Sequence, residues 1–173
     1  MKSEVNGMKF RLIVMNFLQF AIWGAYLTSM GSYLFNIGLG EKIGLFYAMQ
    51  GFVSLFMPAI IGIVADRWVP AQKLLGFCHL MGAIFMASAG YYGMSAGHSV
   101  EFGILYSLYA GGVGFYMPTL ALSNSVAYTA LDRVKLDPVV AFPPIRIFGT
   151  IGFICSMLMT DFLGFQASYM QFF

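Results

Sequence analysis

Five long apolar stretches dominate this sequence of 173 residues and constrain its fold more than any other feature. They predict helices over residues 12–34, 43–65, 74–97, 102–124 and 138–164, and each is long enough for the roughly 20 residues that a helix needs to cross a bilayer. Hydrophobic residues make up 60% of the chain and charged residues only 9%, whereas an ordinary soluble domain has about 25% charged residues. The sequence therefore predicts an all-α integral membrane protein with about five transmembrane helices.

The basic residues are distributed unevenly between the ends of these helices. If the N-terminus is cytoplasmic, only Lys42 of the loop residues lies outside, and all other basic loop residues lie inside. This asymmetry follows the positive-inside rule and predicts a cytoplasmic N-terminus. Because the charges act as topology signals, we expect no nucleic-acid partner. The cytoplasmic set comprises Lys2, Lys9, Arg11, Arg67, Lys73, Arg133 and Lys135.

The connections between the predicted helices are short, and the longest of them, 125–137, is on the cytoplasmic side. Short loops require neighbouring helices to run antiparallel. We therefore expect residues 1–173 to form a single membrane domain, an up-and-down bundle with no soluble domain between its helices. The first apolar run is also much longer than the h-region of a signal peptide, which spans about 7 to 15 residues, so we interpret it as a retained helix.

The last apolar stretch contains an arginine, Arg146, behind two prolines. A cation at the centre of a membrane helix costs about 3 kcal/mol or more, which indicates a cavity, a charge pair or a ligand. Asp137 and Pro138 are a typical N-cap and first-turn pair, and a helix from Pro138 places Arg146 about 12 Å along its axis. If the helix began at Pro144, the arginine would lie near the interface and its side chain would simply snorkel there.

Polar and aromatic residues form a stripe along the first predicted helix. Gln19, Trp23 and Tyr26 lie at i, i+4 and i+7 on one face, which Met30 and Tyr33 continue. Lipid favours apolar residues on all faces, so this stripe should face the interior of the bundle. There it serves either as core packing or as part of a ligand path, in which case Gln19 and Trp23 are candidate substrate contacts.

A short motif ends the second predicted helix. Gly62 is followed three residues later by Asp66 and then by Arg67, and this pattern resembles the signature between the second and third helices of the major facilitator superfamily. The usual second glycine is replaced by Val69 and Pro70. The resemblance implies a cytoplasmic gate that breaks as the two halves of a carrier rock; the alternative is a plain aspartate at the membrane boundary.

Four longer strings make the resemblance more specific and extend it from about Lys9 to Gln171. Together they are similar to the nucleoside:proton symporter family within that superfamily. The strings are NFLQFAIWG at 16–24, FMPAIIGIVAD at 56–66, YMPTL at 116–120 and FPPIRIFGTIGF at 142–153.

The resemblance implies a twelve-helix carrier in the bacterial inner membrane that imports nucleosides with protons by alternating access. The substrate-contacting positions of the family match Arg146, Thr150 and Phe153 here, which share one helical face. A guanidinium donates hydrogen bonds, a hydroxyl both donates and accepts, and an aromatic ring stacks on a nucleobase. The chain then corresponds to an N-terminal fragment that ends at the start of the sixth helix, with the opposite wall of the cavity in the missing C-terminal half.

Other classes of function are disfavoured or left open. We expect no enzyme, because no span contains a metal-ligand pair, paired carboxylates or an activated nucleophile, and we expect no cofactor or metal. A non-transporting membrane scaffold or assembly subunit, or a facilitator for another small polar solute, remains an alternative. No residue is assigned to proton coupling, since Asp66 and Asp161 lie near the ends of their helices and His79 is more plausible as a hydrogen-bonded structural histidine. We expect the coupling carboxylate in the missing half.

Overall fold

The computed structural model describes residues 2–173, with side chains from Ser3 onward, and this part of the chain contains helices and no strand. Five long helices correspond to the five predicted stretches, which confirms the all-α class. The six α-helices are α1 (Lys2–Leu27), α2 (Met30–Asn36), α3 (Ile43–Arg67), α4 (Ala71–Ala96), α5 (Phe102–Arg133) and α6 (Pro138–Phe162). Short 3-10 helices occupy Gly40–Lys42, Phe165–Ala167 and Tyr169–Phe172.

The predicted first helix, 12–34, is interrupted in the structure. α1 begins much earlier, at Lys2, and ends at Leu27, and α2 begins after a turn at Thr28 and Ser29. At this interruption the Tyr47 hydroxyl of α3 donates a hydrogen bond to the Leu27 carbonyl across 2.7 Å. A carbonyl at a helix end needs an external partner, and here a neighbouring helix supplies it. The prediction of one continuous helix over 12–34 was therefore wrong. The sequence did not reveal the break, because the residue that satisfies the Leu27 carbonyl is distant in the chain.

The fourth helix is longer than predicted. α5 continues to Arg133 through most of the segment 125–137 that was expected to be a loop. Ala127, Ala130 and Leu131 of this extension are buried in a cluster with Leu12 and with residues of α6. Because this face is apolar and covered, the helix persists, and the remaining loop turns at Lys135, whose φ is 58°.

Four segments of the described chain are long and apolar enough to cross a membrane, namely Ser3–Asn36, Gly40–Arg67, Ala71–Ala96 and Pro138–Phe162. α5 is not among them, although it is the longest helix, with 32 residues. Its sequence is rich in Gly, Tyr, Ser and Thr, and it packs against α1, α3, α4 and α6. α5 is thus the central helix of the bundle, where lipid contact does not demand an apolar surface.

α1 and α6 approach so closely that their backbones touch. A Cβ atom at Gly24 would collide with the backbone of Phe153, and one at Gly152 would collide with the backbone of Phe17. Small residues permit such close crossing in membranes, where packing rather than the hydrophobic effect holds helices together. This crossing fixes the position of α6 relative to α1.

The sequence after α6 was expected to begin a sixth transmembrane helix. In the structure Gly164, with φ of 71°, ends α6, and the chain then forms the two 3-10 helices up to Phe172. Gln171 and Phe172 are buried against the bundle. Residues 165–172 thus form short turns, the second of which packs against α4.

Candidate functional site

α6 begins where the sequence indicated. Asp137 is its N-cap, and a carboxylate oxygen accepts a hydrogen bond from the Val139 amide at 2.9 Å, with Pro138 at the first helical position. Arg146 therefore lies eight residues beyond the first helical residue, about 12 Å along the axis. This confirms the longer helix and excludes the alternative in which the helix begins at Pro144.

The helix continues through Pro143 and Pro144 without interruption. Proline has no amide hydrogen, so the carbonyls one turn earlier, at Val139 and Val140, lose their intrahelical donors. Both residues are strongly exposed, at 80% and 72% of their surface. Polar surroundings at the end of the helix can satisfy those carbonyls, which explains how two prolines are tolerated two and three residues before Arg146.

The Arg146 side chain packs on an aromatic ring. It is half-buried, and its guanidinium carbon lies 3.8 Å from the centroid of the Phe20 ring of α1. The ring face attracts the cation. Within residues 2–173 no carboxylate lies within ion-pair distance of this guanidinium. Its hydrogen-bond donors are therefore not used by an acidic partner in the described chain.

Aromatic contacts extend from this pair along α1. The rings of Phe20 and Trp23 are 6.1 Å apart, and Trp23 meets the ring of Phe153 edge-on at 6.0 Å. Thr150 lies between Arg146 and Phe153 on α6 and is exposed. The structure thus links Arg146 to Trp23 and Phe153 through Phe20, and Thr150 shares the α6 face of Arg146 and Phe153. We call Arg146, Thr150, Phe153 and Trp23 the Arg146 surface.

Gln19, which was also a candidate substrate contact, does not lie on this surface. Its side chain is 2% exposed, and both ends of its amide already have protein partners. The amide nitrogen donates to the Thr119 hydroxyl at 2.7 Å, and the amide oxygen lies 2.9 Å from Nε2 of His79. In this structure Gln19 therefore faces the interior of the bundle and is used in packing, and its role as a substrate contact stays a prediction.

The hydrogen bonds around Gln19 determine where the proton of His79 resides. The Thr119 hydroxyl has one hydrogen, which it donates to the Tyr116 carbonyl, so toward Gln19 it can only accept. The amide nitrogen of Gln19 must therefore face Thr119, and the amide oxygen must face His79. Nε2 of His79 consequently has the hydrogen and donates it, as expected of a structural histidine.

Tyr116 completes this arrangement by donating its hydroxyl hydrogen to the Gln19 backbone carbonyl. We call Gln19, His79, Tyr116 and Thr119 the Gln19 network, which joins α1, α4 and α5. Sequence reasoning missed the roles of Tyr116 and Thr119. Both occur in the string YMPTL, but nothing in a single sequence indicates that its hydroxyls face Gln19.

The predicted gating motif lies at the end of α3. Asp66 and Arg67 are exposed, and α3 ends at Arg67 with the Trp68 amide bonded to the Val64 carbonyl. A Cβ atom at Gly62 would meet no atom within 4 Å. Within the described chain this glycine therefore mediates no close helix contact, and Asp66 forms no ion pair. The motif therefore lies on the surface of the described chain, with Asp66 and Arg67 exposed.

Comparison with known proteins shows the family to which this chain belongs. The family model described as nucleoside H+ symporter matches residues 6–173. The nucleoside permease NupG of Escherichia coli (strain K12) is 42% identical over 170 residues, which are 95% of this chain and 38% of that protein. The xanthosine permease of the same organism is 39% identical over 165 residues, covering 93% of this chain and 37% of that protein.

Solved structures agree with this similarity. The crystal structure of the nucleoside transporter NupG matches with a TM-score of 0.84 at 40% identity, over 95% of this chain and 40% of that chain. A mutant form of NupG matches with a TM-score of 0.88 at 39% identity. The chain thus spans less than half of the length of these relatives, which are transporters rather than enzymes.

Proposed function

Because the chain belongs to the nucleoside H+ symporter family, we propose that it forms the N-terminal part of a secondary active transporter that imports nucleosides with protons. The Arg146 surface is the observation on which this proposal rests. It presents a guanidinium, a hydroxyl and two aromatic rings on one side of the α1–α6 pair. A nucleoside offers matching chemistry in its ribose hydroxyls, base carbonyls and aromatic base.

Each group on this surface has a role in the proposal. Arg146 donates in a fixed planar fork to ribose hydroxyls or a base carbonyl. Thr150 donates or accepts a further hydrogen bond, and Phe153, held edge-on by Trp23, stacks on the base. The absence of a carboxylate partner within residues 2–173 supports this role, because donors already paired with an acid would be less available to a neutral solute.

The relatives are more than twice as long as the segment that matches, since this chain covers 38% of NupG. We propose that the opposite wall of the binding site comes from the part of the carrier that this segment does not include. Alternating access then consists of rocking of the two halves around a site near the midplane. Gly62, Asp66 and Arg67 lie at the cytoplasmic end of α3 and would contact the other half when the cytoplasmic side closes.

The proposal places the protein in the bacterial inner membrane with its N-terminus in the cytoplasm. Four segments of the described chain are apolar enough to span a bilayer, and the excess of basic residues lies at the ends of the helices on the N-terminal side of the membrane. Its partners would be the nucleoside, the proton and the lipid bilayer.

Uptake of radiolabelled uridine or adenosine tests the proposal, using the full product of the reading frame in cells without other nucleoside carriers. We expect uptake that collapses with a protonophore. Arg146→Ala should lower the rate at limiting substrate about tenfold to a hundredfold, the value of one or two hydrogen bonds to a charged donor. Arg133→Ala, an exposed arginine at the end of α5, is the matched control and should transport normally.

The possible results separate the functional classes. Uptake that does not depend on the proton gradient would instead indicate a facilitator. If the protein is inserted in the membrane but takes up no solute, a scaffold is indicated. Unchanged uptake by Arg146→Ala would remove the Arg146 surface from the proposal.

A further inference from the structure

Arg146 is held by two neighbours that do not belong to the Arg146 surface. The Phe20 ring is 7% exposed and presents its face to the guanidinium, whose carbon is 3.8 Å from the ring centroid. Gly149 lies on the same helix as Arg146, three residues later, and is buried at the same contact. We infer that Phe20 and Gly149 are positioning residues that hold the Arg146 guanidinium at the depth where the proposed substrate binds.

The need for such a device follows from the surroundings of Arg146. A long cationic side chain in an apolar segment tends to extend toward the nearest polar interface. Within residues 2–173 Arg146 has no carboxylate to oppose that tendency. The face of an aromatic ring attracts a cation without neutralising it and without consuming its in-plane hydrogen-bond donors. Phe20 therefore holds the charge in place and leaves the donors free.

Gly149 makes the close approach possible. A Cβ atom on this residue would come within 2.7 Å of a Phe20 ring carbon and 2.8 Å of Nη1 of Arg146. Both distances are shorter than van der Waals contact. Any larger residue would have to displace the ring or the guanidinium, so glycine permits the observed contact between the helix, the ring and the cation.

A glycine on the central helix α5 lacks this crowding. A Cβ atom at Gly114, in the interior of α5, would meet no atom within 4 Å. Gly114→Ala is therefore a matched control for the change in helix propensity. Phe85, whose ring stacks on Phe115 at 5.9 Å, is the matched control for loss of an aromatic ring inside the bundle.

The first test observes the guanidinium directly. The full gene product is labelled with isotopic arginine in nanodiscs, and the Arg146 resonances are assigned by their loss in Arg146→Lys. We expect an upfield ring-current shift that Phe20→Leu abolishes, that Phe20→Tyr retains and that Phe85→Leu leaves unchanged. An Arg146 signal unaffected by Phe20→Leu would overturn the inference, whatever the protein transports.

The second test is kinetic and rests on the proposed function. Phe20→Leu and Gly149→Ala should each raise the KM for uridine by about tenfold, the scale of a desolvated cation–π contact, with little change in Vmax. Phe20→Tyr keeps the aromatic ring and should have the KM of the parent. The controls Gly114→Ala and Phe85→Leu should also have the KM of the parent. Equal KM values in Phe20→Leu and the parent would contradict positioning.

The two tests distinguish failure of the inference from failure of the proposed function. If Arg146→Lys transports like the parent while the ring-current shift depends on Phe20, Phe20 still positions Arg146 but the proposed substrate role is wrong. If Arg146→Lys loses transport while Phe20→Leu alters neither the resonance nor KM, the substrate role stands and the positioning role is wrong.

Discussion

The side-chain amide of Gln19 donates a hydrogen bond to the hydroxyl of Thr119 across 2.7 Å, joining two residues that are 100 positions apart in the chain. This contact ties α1 to the central helix α5. Through the amide oxygen of Gln19, the same side chain also holds His79 of α4. A single buried glutamine thus connects α1, α4 and α5. Gln19 directly precedes Phe20, the residue on which Arg146 packs.

Removal of the Thr119 hydroxyl should destabilise the bundle. Thr119→Val keeps the shape of the side chain but leaves the Gln19 amide without an acceptor at a fully buried position. Hydrogen bonds between membrane helices are worth about 0.6 kcal/mol on average and up to about 1.7 kcal/mol, and we expect a loss in the upper part of that range. Thermal unfolding of the full gene product in detergent measures it. Thr129→Val, which removes only a bond to its own helix, should cost less; equal losses would argue against the interhelical contact.

His79 should support the structure without setting the pH dependence of transport. Its Nε2 donates to Gln19 whether or not the ring is protonated, and the groups that face it are the Gln19 amide and the Tyr116 ring, at 6.3 Å between ring centroids. His79→Asn retains a donor on a shorter side chain. We expect lower thermal stability but an unchanged midpoint in the pH profile of proton-driven uridine uptake. A displaced midpoint would assign a coupling role to His79.

Addition of one methyl group at the α1–α6 crossing should destabilise the protein. Alanine normally favours a helix over glycine by about 0.5 to 1 kcal/mol, but a Cβ atom at Gly152 would collide with the Phe17 backbone. Backbone atoms cannot move aside as a side chain can, so we expect Gly152→Ala to cost about 1 to 3 kcal/mol. Gly103→Ala, with no atom within 4 Å of its Cβ, should be neutral or stabilising. Opposite signs in the two melting shifts are the expected result, and a stabilising Gly152→Ala would show that the helices are farther apart.

Removal of the N-cap of α6 should loosen the start of the helix that contains Arg146. Asp137→Ala deletes the acceptor of the Val139 amide, which typically costs about 1 kcal/mol. Asp137→Asn should retain most of the stability because its amide oxygen still accepts. Hydrogen–deuterium exchange near Val139 and the melting temperature report the change. Asp132→Ala, an exposed carboxylate near the end of α5, is the control, and the cap assignment would be refuted if both alanine variants exchanged alike.

The start of α6 was predictable because its signals are local. Asp137 and Pro138 are adjacent, and their chemistry suffices to begin a helix whatever surrounds it. The same argument located Arg146 well inside the span. The end of α1 was not predictable, since the Leu27 carbonyl at the interruption is satisfied by Tyr47, which is 20 residues away and on another helix.

The extension of α5 had a similar cause. Residues 125–133 are polar enough to resemble a loop in sequence, yet Ala127, Ala130 and Leu131 cover apolar side chains of α1 and α6. Burial of that apolar face favours the helix more strongly than the local sequence favours a loop, because most helix stability in proteins comes from packing rather than from propensity.

The sequence alone determined that the chain spans a membrane with long helices, which residues share a face on each helix, and which motifs relate it to nucleoside H+ symporters. The membrane helices and their faces follow from composition and from the 3.6-residue period, and the resemblance follows from short sequence strings; all of these are local. Only the tertiary structure decided that Gln19 faces Thr119 and His79 while Arg146 faces Phe20. Helical periodicity shows which residues point the same way, but the partner of a buried polar group comes from other helices. That choice depends on how closely glycines such as Gly149 and Gly152 allow those helices to approach.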